Sequence, residues 1–532
     1  LNAGTIAGRE LVQINAQNVL NTGLVSGQTT SLGASEDVNN VGGTLRANDV
    51  LVVQAGRDLN VQTTTAQGSG AAGVGRYSSE QVNRVAGLYV SNEAGVLLAS
   101  AGRDVNLSAA ALQAGTTDVQ AGRDLNLSSV NTSSQLNATR DARNFARVQQ
   151  SADVGTQIQG ASVALQAGQD ITARAASVQA QDALVVSAGR DVSLNTGESS
   201  YQIDHGVYAK SSGLLGSSSV ETRTHNSRTD ATGTALGGAQ VLIQSGLDTT
   251  LTGSSAVADE AITITAGRDV NITAAQTRSG HGHFEEKKES GVFSGGGMGV
   301  TIGKRMQSTD QQTQATGAAA STVGAISGDV SIAAGQSYRQ TGSDVVAPDG
   351  DITIQAQSIA ITEARTTEHS TSEQKFKQSG VSIGLGGALV EAAQGVMQMV
   401  EAIGSTQDAR MQALGLATAA LRGHSALQGL SAPASGGASS AGVSVSISIG
   451  TSRSESSTES QRNNAQDSTV QAGGDVNLVA TAQPGPPELV EGPESVEGHP
   501  GPGSILVQGS HVKAGQVATL TADGDVQLLA AT

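Results

Sequence analysis

Apolar and polar residues alternate along most of this chain, and the alternation is interrupted at regular places by a glycine-aspartate corner. In Val52-Val53-Gln54-Ala55-Gly56-Arg57-Asp58-Leu59-Asn60-Val61, the apolar places are Val53 and Ala55 before the corner and Leu59 and Val61 after it. Period-two patterning on both sides of Gly-x-Asp predicts strand, turn, strand. Gly reaches backbone conformations closed to residues with a Cβ, and the Asp carboxylate can accept hydrogen bonds from the amides of its own turn.

The phrase recurs. Ala-Gly-Arg-Asp stands intact at Ala55 to Asp58, Ala101 to Asp104, Ala121 to Asp124, Ala188 to Asp191 and Ala266 to Asp269, with looser copies around Asp170, Asp248, Asp329, Asp351, Asp475 and Asp525. Successive aspartates from Asp58 onward are 46, 20, 46, 21, 57, 21, 60, 22, 124 and 50 residues apart. A period of 20 to 22 residues suits one coil of a parallel β-helix with three short strands and three corners. Such coils stack about 4.8 Å apart, and about twenty of them would form a rod near 100 Å long.

The long gaps hold something besides coils. Four excursions are expected at 62–98, 130–160, 196–237 and 276–325, each with a polar strand rising, a Gly-rich tip and a polar strand returning. They read as long β-hairpins projecting from one flank and stacking into a second sheet. A fifth excursion, 373–460, changes period: Leu389, Val390, Ala393, Val396, Met397, Val400 and Ile403 follow helical spacing. This predicts a helical insertion over 388–430, broken near Gly404-Ser405-Thr406. Residues 484–502 hold six of the eight prolines and cannot join a strand ladder, so they form a looped-out insertion. The rest, 1–532, reads as one continuous β-helix.

Composition agrees with an array. Aromatic residues are 2% of the chain, Trp is absent and Gly numbers 68, so a narrow interior of small side chains is expected rather than a core built on rings. With no Cys there is neither a disulfide framework nor a thiolate metal site. A formal net charge of −17 argues against nucleic acid as a partner. No apolar run reaches 18 residues, and a start at Leu1 without a basic leader reads as an internal fragment, with export signals expected upstream.

Three groups invite a chemical reading. The repeated aspartates resemble the acidic clusters of calcium-dependent polysaccharide-active β-helix enzymes, but a residue at one turn position in every copy caps its corner, whereas a catalytic cluster is unique to one place. The neighbouring Arg shields it further. His281, His283 and Glu285 share one face of a strand, with Glu286 adjacent, which makes a metal site geometrically possible; on a charged hairpin arm a solvated face is the stronger reading. Gly295 to Gly299 lack the Lys-Ser/Thr and the strand-to-helix context of a phosphate loop and read as a hairpin tip. No catalytic, cofactor-binding or metal residue is therefore assigned, and no cofactor is expected.

The repeated Ala-Gly-Arg-Asp-(Val/Leu)-Asn phrase, together with strands such as Gly380-Val381-Ser382-Ile383 answering Ser454-Glu455-Ser456-Ser457-Thr458-Glu459-Ser460, resembles the haemagglutinin repeats of filamentous haemagglutinin and of the contact-dependent growth inhibition exoproteins. The resemblance implies an all-β, right-handed parallel β-helix in a Gram-negative surface protein, exported through an outer-membrane two-partner-secretion transporter. It is closest to the second, hairpin-rich repeat region, which implies a monomeric filament segment acting as stalk or conduit in toxin delivery toward the target-cell envelope or outer membrane. The alternative is an adhesin stalk, and a polysaccharide-active enzyme comes behind both. The family's secretion domain and its Val-Glu-Asn-Asn toxin marker do not occur in this stretch.

Overall fold

The computed structural model describes residues 1–294, 299–386, 444–482 and 500–531. Among these residues every regular element is a strand, and the strands form three sheets: parallel sheets of 22 and 13 strands and an antiparallel sheet of 10. One turn of the solenoid can be followed from Val105–Ser108 in the smaller parallel sheet to Ala111–Gln113 and Thr116–Ala121 in the larger one, and then round the Gly122 corner to Leu125–Ser128. The three strands per coil expected from the spacing are thus present. The expected helices of 388–430, the tip at 295–298 and residues 484–499 of the Pro-rich insertion lie outside the described residues.

Alternation produces this shape because every second residue of each strand points into the coil. Leu59, Val105, Leu125, Ile171 and Val192 stand in register on successive rungs, all buried. Each such side chain contributes roughly 1.5–3 kcal/mol by leaving water. At the tenth rung the place belongs to Tyr338, whose hydroxyl donates to Gln340 Oε1 at 2.9 Å. Its burial pushes the phenol above its ordinary pKa.

The rod is shorter than the spacing suggested. Thirteen strands in the smaller sheet, about 4.8 Å apart, span about 60 Å rather than 100 Å. The residues of the long gaps enter hairpins instead of additional coils.

From residue 38 onward, the corner that follows the smaller sheet alternates between two states. In plain coils one residue there takes a left-handed backbone: Gly42, Ala109, Ala175, Gly253, Gly342 and Gly509, with φ between 45° and 58°. In the coils between them the same corner launches a hairpin instead. The hairpins comprise Thr64–Ala72 with Gly75–Arg84, Val130–Thr139 with Phe145–Val154, Gly197–Gly213 with Gly216–Thr232, Ala275–Ser294 with Gly299–Ala319, and Ala364–Gly386 with Ser444–Gln466. Within the stretch 62–98, Gly87–Val90 and Val96–Ala101 already pair in parallel with solenoid strands.

The aspartate phrase does not occupy one corner throughout. Asp58, Asp104, Asp124, Asp170, Asp191, Asp248, Asp269 and Asp525 precede strands of the smaller sheet, whereas Asp329, Asp351 and Asp475 precede Val330–Ala334, Ile352–Ala356 and Val476–Ala480 of the larger. The expectation of a single turn position is corrected accordingly. Both corners need a tight Gly turn followed by alternating apolar residues, so the local sequence does not distinguish them.

Candidate functional site

Two inner ladders fix the corners from which everything else projects. At the first, each carboxylate serves the rung that follows rather than its own turn: the Asp104 amide donates to Asp58 Oδ1 at 3.3 Å, and the Asp248 amide to Asp191 Oδ1 at 3.0 Å. The own-turn capping expected from the sequence is replaced because stacking brings the next rung's amide to the carboxylate. The Arg of each strict copy reaches back in the same way, with Nε of Arg57, Arg103, Arg123, Arg190 and Arg268 at 2.7–2.9 Å from the preceding Asp Oδ1. These guanidiniums hold Asp37, Asp58, Asp170 and Asp248 below the usual carboxylate range. Asp37 belongs to this ladder although its segment lacks Gly; the signal was Asp37-Val38-Asn39, which matches Asp104-Val105-Asn106. The Asn of the phrase forms its own ladder, Asn126 Nδ2 to Asn106 Oδ1 and Asn106 Nδ2 to Asn60 Oδ1, both at 2.9 Å.

The second ladder lies at the hairpin corner and was not foreseen. Buried hydroxyls stand just before the next strand: the amides of Ser254, Ser321 and Ser343 donate to Oγ of Ser321, Ser343 and Ser468 at 3.1, 3.2 and 3.1 Å. Each hydroxyl in turn donates to a strand-end carbonyl, as Ser468 does to Thr362 O at 2.8 Å. A hairpin entering or leaving here interrupts the backbone ladder, and the hydroxyls satisfy the amides it leaves over.

Among the described residues the ten hairpin strands pair only with one another, in chain order, so the sheet stands off the solenoid with two faces. Its strands lengthen from 9 and 10 residues in the first hairpin to 23 and 23 in the fifth. A row of glycines crosses the taller end: Gly213, Gly216, Gly291, Gly303, Gly380 and Gly450 are successive register partners. Gly291 has φ +102°, and a Cβ there would meet the Leu215 carbonyl oxygen at 2.3 Å, so only Gly fits. Beyond this row the strands alternate strictly. Val292, Ile302, Val381 and Ile449 are register partners on one face, and Val300, Ile383 and Ile447 continue it. On the other face Thr301 Oγ1 and Ser382 Oγ are 2.9 Å apart. Much of the apolar face is open to water, with Ile302 51% and Ile449 80% exposed.

Below the glycine row the sheet is charged, and the Arg143 guanidinium lies 3.6 Å from the Tyr208 ring centre, while Arg305 reaches across the row to place its guanidinium 4.7 Å from the ring centre of Phe293. His281, His283 and Glu285 do lie on one face of Ala275–Ser294, but their cross-strand partners are Asn226, Thr224 and Thr222 on one side and Thr313, Gln311 and Thr309 on the other. Glu286 points to the opposite face, where Lys288 Nζ is 2.5 Å away. Among the described residues no group of three or more His, Asp or Glu side chains could hold a metal ion, and no helix is long and apolar enough to cross a membrane.

The model of the hemagglutinin repeat family matches residues 63–142, 138–291, 302–413 and 447–532. The chain is 32% identical over 363 residues to a tRNA nuclease CdiA of Escherichia coli strain STEC_O31, covering 67% of this chain and 11% of that protein. It is also 32% identical over 442 residues to a deoxyribonuclease CdiA of Dickeya dadantii, covering 82% and 13%. A 16S rRNA endonuclease CdiA of Enterobacter cloacae is 32% identical over 71% of this chain and 11% of its own length. The chain thus spans little more than a tenth of these relatives. No solved structure matches. Repeats that recur at the solenoid corners, and a family model that covers most of them, place this chain in the hemagglutinin repeat family.

Proposed function

We propose that the chain is the repeat stalk of a secreted, surface-exposed Gram-negative exoprotein of contact-dependent growth inhibition, and that its hairpin sheet meets the target-cell envelope during toxin delivery. The observation that carries this reading is the match to hemagglutinin repeats shared with three CdiA proteins named as nucleases of different substrates. Proteins with different nuclease names share this region, which therefore serves something common to them rather than one chemistry. In this reading the region itself makes and breaks no bond, and a two-partner-secretion transporter in the outer membrane exports it. Residues 1–532 act as one rod, with the five excursions and the Pro-rich insertion as its appendages. The alternative, a plain adhesin stalk, has the relatives' names against it.

The test uses the full-length parent exoprotein. Replacing residues 291–303 and 380–450 by short turns removes the tall end of the hairpin sheet and leaves the solenoid strands intact. Retained cell-cell attachment with lost growth inhibition is the expected result. Lost attachment would favour the adhesin, and unchanged inhibition would sink the delivery role.

A further inference from the structure

The chain carries few lysines, and they are gathered. Six of the seven, Lys210, Lys287, Lys288, Lys304, Lys375 and Lys377, lie on the hairpin sheet of a chain whose formal net charge is −17. Register places four of them on one face in two neighbouring rows. Lys304 pairs with Ser290 and Ser379, one step below the glycine row. In the next row of that face Lys288, Met306, Lys377 and Arg453 are successive partners, and Lys210 joins through Ser219.

These cations are only partly balanced. Lys288 is paired with Glu286, and Arg453 Nη2 lies 2.9 Å from Glu455 Oε2. Lys210, Lys304 and Lys377 are exposed and have no ion pair with any described carboxylate. Like charges at neighbouring places on a sheet repel, and an anion seated between them removes that cost. The rows line an open groove of about 690 Å³ whose floor includes Ser219, Ser290 and Ser379. Ammonium groups and hydroxyls around a shallow floor suit the oxygens of a phosphate.

The neighbouring row decides which phosphate. On the same face, one place beyond Gly303, stand Val292, Ile302, Val381 and Ile449, about 7 Å from the Lys304 row. A hydrated polyanion makes no use of this apolar row; an amphiphile uses both. From this juxtaposition we infer that the cation rows bind the phosphate headgroups of an anionic lipid layer while the apolar row beyond Gly303 meets its acyl chains. The inference rests on the proposed envelope contact and names its chemistry.

The 532-residue chain is sedimented with vesicles of phosphatidylcholine alone and of phosphatidylcholine mixed with phosphatidylglycerol. Binding to the mixed vesicles, weakened by salt, is expected. Lys304→Glu with Lys377→Glu should weaken it by roughly tenfold or more, since each cation near an anionic surface is worth about fivefold. Lys304→Gln with Lys377→Gln should weaken it less, and Ile302→Ser with Ile449→Ser should weaken it without changing the salt dependence. Circular dichroism on each variant checks that the strands persist. Equal binding to neutral vesicles, or mixed-vesicle binding untouched by charge reversal, overturns the inference. Capture of inositol hexakisphosphate without vesicle binding also overturns it, in favour of a soluble polyanion. Lipid binding that survives while the parent exoprotein's inhibition proves independent of this sheet would instead fault the delivery reading.

Discussion

The Arg103 guanidinium donates to the Asp58 carboxylate one rung away, Nε to Oδ1 at 2.8 Å, and the Asp104 amide donates to that same oxygen at 3.3 Å. One carboxylate thus ties two successive coils twice, once through a side chain at the surface and once through a partly buried backbone amide. The two ties differ in what their loss would cost.

Removing the surface tie costs little. Arg103→Ala should destabilise only slightly, because the Arg103 side chain is 46% exposed and solvent screens its pairing with Asp58. Asp58→Ala removes both ties and leaves the Asp104 amide without its acceptor, for which about 1–3 kcal/mol is expected. Asp58→Asn keeps an acceptor and should fall between them. Chemical denaturation of the three variants gives the order, and an Asp58→Ala cost no larger than that of Arg103→Ala would show that the amide bond contributes nothing.

The same ladder sets a pH response. Arg57, Arg103, Arg190 and Arg268 hold Asp37, Asp58, Asp170 and Asp248 below their ordinary pKa. The unfolded chain, with carboxyls near about 3.9, then binds more protons on acidification than the folded one. The stabilisation is complete above that value and is lost as pH falls through the depressed folded values. The melting temperature should be flat from neutral pH to about pH 5 and fall steeply below about pH 4. A melting temperature that rises on acidification would contradict the sign.

Much of this was legible in the chain. Alternation around Gly56-Arg57-Asp58 specifies strands, and the alternation of short and long gaps locates the hairpins, because period and spacing directly report stacking. What escaped was relational. Nothing local to Asp329 says that its strand joins the larger sheet instead of the smaller, since that depends on which rung it lands upon. Ser254, Ser321 and Ser343 look like ordinary loop serines until the coils close and bury them. The cation rows were invisible for a similar reason: Lys210, Lys288 and Lys377 are far apart in sequence and fall into one row only through the register of five hairpin strands. His281, His283 and Glu285 show the converse, a local pattern that the fold leaves surrounded by Thr, Asn and Gln.

The buried hydroxyls should matter more than any surface pair. Ser343→Ala deprives the Ser321 amide of the oxygen 3.2 Å away. An unsatisfied buried donor costs about 1–3 kcal/mol. A thermal shift larger than that of Arg103→Ala is therefore expected, whereas Ser327→Ala, at a solvent-facing bond, should be close to neutral. Equal shifts would mean that water reaches the corner.

The plain corners allow a change in either direction. Ala175 holds φ 50°, a conformation that strains an L residue by about 1–2 kcal/mol. Ala175→Gly should relieve most of that, offset by about 0.5–1 kcal/mol for the added freedom of the unfolded chain, and so leave stability unchanged or slightly raised. At Gly253, φ +53°, a Cβ would also meet Cβ of Ala275 at 2.5 Å. Gly253→Ala should therefore lose at least about 1–2 kcal/mol. Denaturation midpoints test the pair, and a stabilising Gly253→Ala would refute the corner account.

The glycine row offers a way to perturb the hairpin sheet apart from the rod. At Gly303 a Cβ would meet the Ser379 carbonyl oxygen at 2.0 Å and the Gly380 Cα at 2.8 Å, both backbone atoms that cannot swing aside. Gly303→Val must therefore part the fourth hairpin from the fifth at that row. Gly450, in the same row at the sheet edge, has nothing within 4 Å of its Cβ position, so Gly450→Val tests the same substitution without the clash. Because the hairpin strands pair only with one another, separation at Gly303 should not spread to the solenoid. Limited proteolysis should release fragments cut within Gly299–Ala319 or Ala364–Gly386 in the Gly303 variant alone, with the main melting transition unmoved in both. If that transition falls with Gly303→Val, the sheet and the rod fold as one cooperative unit, and hairpin height is a determinant of rod stability rather than an appendage to it.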